Sequence, residues 1–160
     1  MLVCRVWLLL ALLWASPLLG REVLNGRVTN VSDGDTLTLK MPNGSSHKVR
    51  LFGIDAPELA QSYGDRGRQA LNTLVQGKQV RVQVEDTDTY GRKVGRVYVD
   101  KQDINVAMVK QGFAWHYEFH APNDSLLRSA HSEAKSARRG LWSEKKPVAP
   151  WDFRRENRKK

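Results

Sequence analysis

Residues 36–52 read TLTLKMPNGSSHKVRLF, and the fold turns on them. Thr36, Leu37, Thr38 and Leu39 alternate polar with apolar, His47 to Phe52 forms a second extended run, and Asn43-Gly44 stands between the two. Such alternation marks a half-buried strand, and Asn-Gly suits the positive-φ positions of a tight turn, so the stretch predicts a β-hairpin. A two-residue loop sets Met41-Pro42 opposite Ser45-Ser46 and brings Asp35 close to Phe52. A looser turn moves that partner toward Asp55. Two carboxylates therefore meet at the open end of one hairpin.

Working outward, Val23 to Val31 precedes the hairpin as a strand, and Val80 to Glu85 and Lys93 to Val99 follow it. In the first of these later runs Val80, Val82 and Val84 share one face. Between them Ser62 and Asp65 fit a capping box, Ala70, Leu71, Leu74 and Val75 form an apolar helical face, and Gly77 closes the helix. A second helix is expected from Asp103 as cap through Ile104, Ala107 and Met108 to Gly112. A third begins near Asn123 or Asp124, carries Leu127, Ala130, Ala134 and Ala137, and ends at Gly140. Beyond it, Pro147 and Pro150 lead to the expectation that regular structure stops. Three strands, a helix, two strands and then helices predict a mainly β chain with α elements, a five-stranded OB-fold barrel capped by about three helices. An open α+β sheet fits the same order.

The chain of 160 residues is 41% apolar and 27% charged, carries a formal charge of +9 and has one cysteine. These values suit a single domain and exclude collagen-like, disulfide-framed and polytopic membrane architectures. Residues 1–20 read as an export signal: Arg5, the apolar run Val6 to Ala15, then small residues at Ala15, Ser16 and Gly20. The apolar run is shorter than the roughly 20 residues of a typical span. A retained anchor is the alternative. Cys4 leaves with the signal, so the exported chain would depend on core burial alone for stability. Of its net +8, residues 138–160 contribute +6. The division is thus signal 1–20, domain 21–143 and a basic, proline-containing tail 144–160, whose last seven residues read as a flexible polycation suited to nucleic acid or an anionic cell surface, or as a solvated end. Export implies a secreted or periplasmic destination.

The charges at strand ends carry the chemistry. Adjacent carboxylates such as Asp35 and Asp55 resist joint ionisation unless a cation lies between them. Oxygen donors without nearby histidine or cysteine favour Ca²⁺ or Mg²⁺, and the Ala56 carbonyl, biased by Pro57 to extended backbone, would serve as a third ligand. Glu58 follows in the same loop, Arg50 lies on the third strand, and Arg92 opens the last strand. A divalent ion, a spare carboxylate and two guanidinium groups meet the needs of phosphodiester hydrolysis. Taken one at a time, Asp33-Gly34-Asp35, Asp55 to Glu58 and Tyr90-Gly91-Arg92 also fit ordinary turns and solvated loops.

Together these residues resemble the thermonuclease family, typified by staphylococcal (micrococcal) nuclease. The resemblance rests on Asp33-Gly34-Asp35-Thr36, Val49-Arg50-Leu51, Ile54-Asp55-Ala56-Pro57-Glu58, Tyr63-Gly64, Tyr90-Gly91-Arg92, Val109 to Ala114 and Gly140-Leu141-Trp142, in order along about Val23 to Ser143. It implies an OB-fold, Ca²⁺-dependent hydrolysis of DNA and RNA, and 3′-phosphate products. Carried over by position, Asp35, Asp55 and the Ala56 carbonyl would hold Ca²⁺, Glu58 would be the general base, Arg50 and Arg92 would bind phosphate, and Tyr90 would lie against the nucleotide. Here Ala56 stands where the family's nuclease has threonine, and only Leu59 to Ser62 separate Glu58 from Tyr63, in place of a longer lysine-rich loop. The family's stacking tyrosines map onto Glu118 and His120, beside Tyr117, which leaves His120 as the stacking group. His116 and His120 fall in a connecting segment and are not read as a metal pair, and His47 and His131 are expected at the surface. The expected protein is a monomer acting on nucleic acid, with single strands preferred. The competing reading is an OB-fold nucleic-acid-binding or cell-surface protein with little or no catalysis.

Overall fold

A computed structural model of the chain describes residues 21–158, so the expected signal segment lies outside the described residues. The chain runs β1 (Val23–Val31), β2 (Thr36–Lys40), β3 (Ser46–Leu51), β4 (Ile54–Asp55), α1 (Gly64–Val75), β5 (Gln79–Thr87), β6 (Lys93–Val99), β7 (Gln102–Asp103), α2 (Ile104–Lys110), β8 (Trp115–His116), α3 (Ser125–Ser136), a 3₁₀ turn at Gly140–Ser143 and α4 (Pro150–Asn157). Strand order β3-β2-β1-β5-β6 is closed by parallel pairing of β3 with β6, Val49 opposite Lys93. Five strands thus form the closed barrel that the strand order predicted, an OB-fold with no free edge along the seam.

The hairpin forms one residue away from the two-residue register. Lys40 faces Ser46, Met41 N–H donates to the Ser45 carbonyl, and Pro42-Asn43-Gly44 makes a three-residue loop with Gly44 at φ 85°. Asn43 spends its side chain on the Ser45 amide and hydroxyl rather than on a tight turn. Asp35 consequently pairs by backbone with Leu51, whose N–H donates to the Asp35 carbonyl at 2.8 Å. One residue of register is enough to keep Arg50 beside Asp35.

Inside the barrel, Val28, Leu37, Leu39, Val49, Leu51, Val82 and Val97 interdigitate, and Leu71 and Val75 of α1, Ile104, Met108 and Val109 of α2 and Leu127 of α3 cover the open ends. Asp103 caps α2 through the Val106 amide and Asp124 caps α3 through the Leu127 amide, as their sequence context predicts. Helix α1 differs from expectation. Its cap is Tyr63 in the left-handed region, and Ser62 hydrogen-bonds Glu144 instead of closing a capping box.

The clearest correction concerns the C-terminal segment. Regular structure does not stop at Pro150: this proline is the first residue of α4, where its missing N–H costs nothing. Ala149 and Pro150 are buried, and Trp151 packs 5.5 Å from Trp115 and 5.3 Å from Tyr117 between ring centroids. His131 is also drawn inward, edge-on to Trp115 at 5.8 Å and 4.9 Å from Trp142, not left at the surface. Among the described residues no helix is long and apolar enough to cross a membrane.

Candidate active site

The hairpin sets the first two groups. Asp35 ends the β1–β2 turn, in which Asp33 accepts the Asp35 amide at 3.0 Å, and Arg50 lies opposite Thr36 on β3. The short ladder β4–β8 fixes the third, pairing Asp55 with Trp115. Two glycines let these segments close on one another. A Cβ on Gly34 would stand 2.6 Å from the Ala56 methyl, and one on Gly64 would overlap the Glu58 carbonyl, so α1 begins directly under the Glu58 loop. Gln61 then staples that loop, accepting the Glu58 amide at 3.1 Å and donating to the Val148 carbonyl at 2.6 Å.

Arg50 bridges both aspartates. Its Nη1 donates to Asp35 Oδ1 at 2.7 Å and its Nη2 to Asp55 Oδ1 at 2.9 Å. Asp35 Oδ1 also accepts from the Thr36 hydroxyl, and Oδ2 accepts the Ala56 amide at 2.8 Å. Both carboxylates are buried, at 3% and 1% exposure. Burial pushes the Asp35 carboxyl up to about 7 against the pull of Arg50, with Asp33 and Asp55 adding to the rise. Burial alone would lower Arg50, yet Asp35 and Asp55 hold it above its ordinary value.

Arg92 arrives from the β5–β6 hairpin. Asp88 organises that turn by accepting the amides of Tyr90 and Arg92 and, through Oδ2, the Arg92 Nε at 2.7 Å. The slight burial of Asp88 is outweighed by these bonds, which hold its carboxyl below the usual range. Tyr90 projects into solvent at 84% exposure, with the Arg92 guanidinium 5.5 Å from its ring. Asp35, Arg50, Ala56, Glu58, Tyr90, Arg92 and His120 all line one cleft, of about 390 Å³. Each candidate catalytic, metal-holding or substrate-binding residue named from the sequence thus lines this cleft or is bonded to a residue that does, since Asp55 reaches it through Arg50. His120 meets the Tyr117 ring at 4.7 Å, and His116 is buried, its Nε2 paired with the Ala121 carbonyl.

One group in the cleft was not anticipated. Arg154, on α4, donates from Nη1 to Glu58 Oε1 at 2.7 Å and to Asp55 Oδ1 at 3.2 Å, and from Nη2 to Asp55 Oδ2 at 2.7 Å. The hydrogen bonds to Asp55, followed by those to Glu58, raise its pKa beyond the ordinary arginine value. Asp33 and Tyr117 line the same cleft. A signal for Arg154 does exist in the sequence: proline at the first helical position, an acid in the first turn and two arginines in the last describe a helix, with Trp151 and Phe153 able to dock it.

The two aspartates, the backbone at Ala56 and Glu58 form a set of hard oxygen donors with no sulfur and no imidazole among them. Hard oxygens of this kind suit a divalent cation by their chemistry, yet Arg50 and Arg154 already engage the aspartates, and among the described residues no three Asp, Glu, His or Cys side chains are gathered into a metal cage. Residues 48–144 match the family model described as staphylococcal nuclease homologue.

The chain belongs to the staphylococcal nuclease family.

Staphylococcal nuclease relatives include an uncharacterized endonuclease of Haemophilus influenzae, 41% identical over 138 residues covering 86% of this chain and 77% of that protein. A micrococcal nuclease of Shigella flexneri is 37% identical, covering 83% and 82% respectively, and Protein ParB of Escherichia coli is 42% identical, covering 84% and 81%. As a member of the staphylococcal nuclease family the protein is a nuclease, a phosphodiester hydrolase whose substrate is nucleic acid. Nucleases of this family are generally metal-dependent.

Proposed function

We propose that the protein is an exported, secreted or periplasmic, Ca²⁺-dependent endonuclease that hydrolyses DNA and RNA, prefers single strands and leaves 3′-phosphate ends. The observation that carries this reading is the convergence of Asp35, Arg50, Glu58 and Arg92 on one cleft, with Asp55 bonded to it through Arg50, from four separate chain segments. Asp35, Asp55 and the Ala56 carbonyl would hold the ion, which supplies Lewis-acid polarisation of the phosphoryl group when bound.

Glu58 is 41% exposed and lines the cleft; with Oε1 held by Arg154, its Oε2 is the oxygen that would take a proton from the attacking water. Arg50 is already fixed by two carboxylates, so its remaining N–H groups meet a phosphate without reorganisation. Among the described residues the Arg92 guanidinium is hydrogen-bonded only at Nε, which leaves its terminal amino groups to pair with phosphate oxygens as the transition-state charge builds. Tyr90 and His120 flank these groups, where a splayed base finds an aromatic face, and stacking of this kind favours unpaired strands.

The test is digestion of heat-denatured DNA and of RNA with Ca²⁺ and with a chelator, followed by end-group analysis. Cleavage only with Ca²⁺, giving 3′-phosphate ends, supports the reading. Cleavage that persists under chelation, or 5′-phosphate ends, overturns it.

A further inference from the structure

Arg154 lies against two carboxylates of the cleft, and it comes from α4, the last helix among the described residues. Its fork takes both oxygens of Asp55 and one of Glu58. Asp55 Oδ1 is shared with Arg50, but no other side chain among the described residues donates to Asp55 Oδ2. A divalent ion held by Asp35 and Asp55 needs lone pairs that this fork occupies, and two cations cannot crowd one carboxylate face without strong repulsion. The metal assignment under Proposed function is the premise here.

We propose that Arg154 is an internal cation that occupies the carboxylate site, and that α4 docking and divalent-ion binding exclude each other at Asp55. The helix is built for such an exchange. Pro150 and Ala149 anchor its start, while Trp151, Phe153 and Arg154 are only half-buried and residues 155–158 are exposed. An eight-residue helix has little intrinsic stability, so its folded state depends on Trp151 against Trp115 and Tyr117 and on the three bonds of Arg154. Losing those bonds frees the Glu58 carboxylate as well, so one displacement opens the ion site and uncovers the base. Linkage makes the effect reciprocal: whatever weakens α4 docking strengthens ion binding, and the ion loosens α4.

The test compares the full chain with its Arg154→Ala and Arg154→Lys variants by calorimetric titration with Ca²⁺ and no nucleic acid, and follows amide hydrogen exchange over residues 150–157 of the unaltered protein. The expected result is about ten-fold tighter Ca²⁺ binding by Arg154→Ala, which is the scale of one charge-assisted pair. Arg154→Lys, which keeps the charge but loses the fork, falls between the two. In the unaltered protein, saturating Ca²⁺ accelerates exchange in residues 150–157. Equal or weaker binding by a folded Arg154→Ala overturns the exclusion, as does exchange in α4 that Ca²⁺ leaves unchanged. If neither protein binds Ca²⁺, the metal assignment itself falls and the exclusion with it.

Discussion

Glu58 and Asp35 are both carboxylates of the same cleft, yet their surroundings divide their roles. Glu58 stands at the cleft wall within reach of water, while Asp35 is buried and hydrogen-bonded through both of its oxygens. Replacing Glu58 by alanine is expected to lower kcat by about 10² or more while the melting temperature stays near that of the unaltered protein, as judged by steady-state cleavage and calorimetry. Asp35 makes a different prediction. Its carboxyl titrates at about 7 in the folded chain against 3.8 when unfolded, so between these values the folded state holds the extra proton. The stability it contributes is fully present below pH 3.8 and is lost as pH rises through 7. In metal-free protein, the unfolding free energy of wild type relative to Asp35→Asn should therefore fall between pH 5 and pH 8, measured by urea denaturation at about 25 °C. A difference that stays flat would contradict the raised carboxyl. Asn105 shows how a buried polar group fixes the frame around the site. It accepts the Val97 amide and donates to the carbonyls of Phe52 and Gly95; the Gly95 carbonyl keeps the Phe52 amide, so Asn105→Leu removes the side-chain partner of the Val97 amide and the Phe52 carbonyl and should cost about 2 kcal/mol.

At the scale of elements, α3 meets β8 and the 3₁₀ turn through His131, whose Nδ1 accepts the His116 amide at 3.2 Å. Burial first, then His116 and Lys135, lower the His131 pKa below 6.5. The stability this neutral ring contributes is present above pH 6.5 and is lost as acid drives its folded-state protonation. His131→Asn keeps an acceptor for the His116 amide, so its melting temperature should fall less than that of wild type between pH 7 and pH 5. The elements also show why some features could be read from the sequence and others could not. Strands β1, β2, β5 and β6 and the caps Asp103 and Asp124 were legible because periodicity and capping are local signals. The loop at Asn43-Gly44 leaves a tight and a looser turn open in the sequence, since both two- and three-residue hairpins use glycine at a positive φ and only cross-strand packing decides between them. Helix α4 was lost among prolines and arginines, because a charge run reads as solvent-exposed unless the aromatic residues within it are given a surface to cover.

Across the whole molecule, the excess positive charge is concentrated near the chain end, and the fold brings part of that end to the cleft. Removing residues 150–160 should make the dependence of DNA binding on salt shallower by roughly two to four phosphate contacts, read by fluorescence anisotropy between about 50 and 200 mM salt. An unchanged slope would place that charge outside the binding surface. The candidate site itself was legible nearly in full from the sequence because its motifs are contiguous and chemically distinctive. Arg154 was not, because its partners Asp55 and Glu58 are 99 and 96 residues away in the chain and no local pattern records that pairing. Closure of the barrel is equally non-local: Val49, Arg50 and Leu51 meet Lys93, Val94 and Gly95 side by side. Such a joint cannot zip up from a turn, so chain collapse must bring its halves together by diffusion, and its completion should limit the speed of renaturation. Until then β3 and β6 expose ready-made edges to other molecules, which makes dilution during refolding the practical safeguard against aggregation.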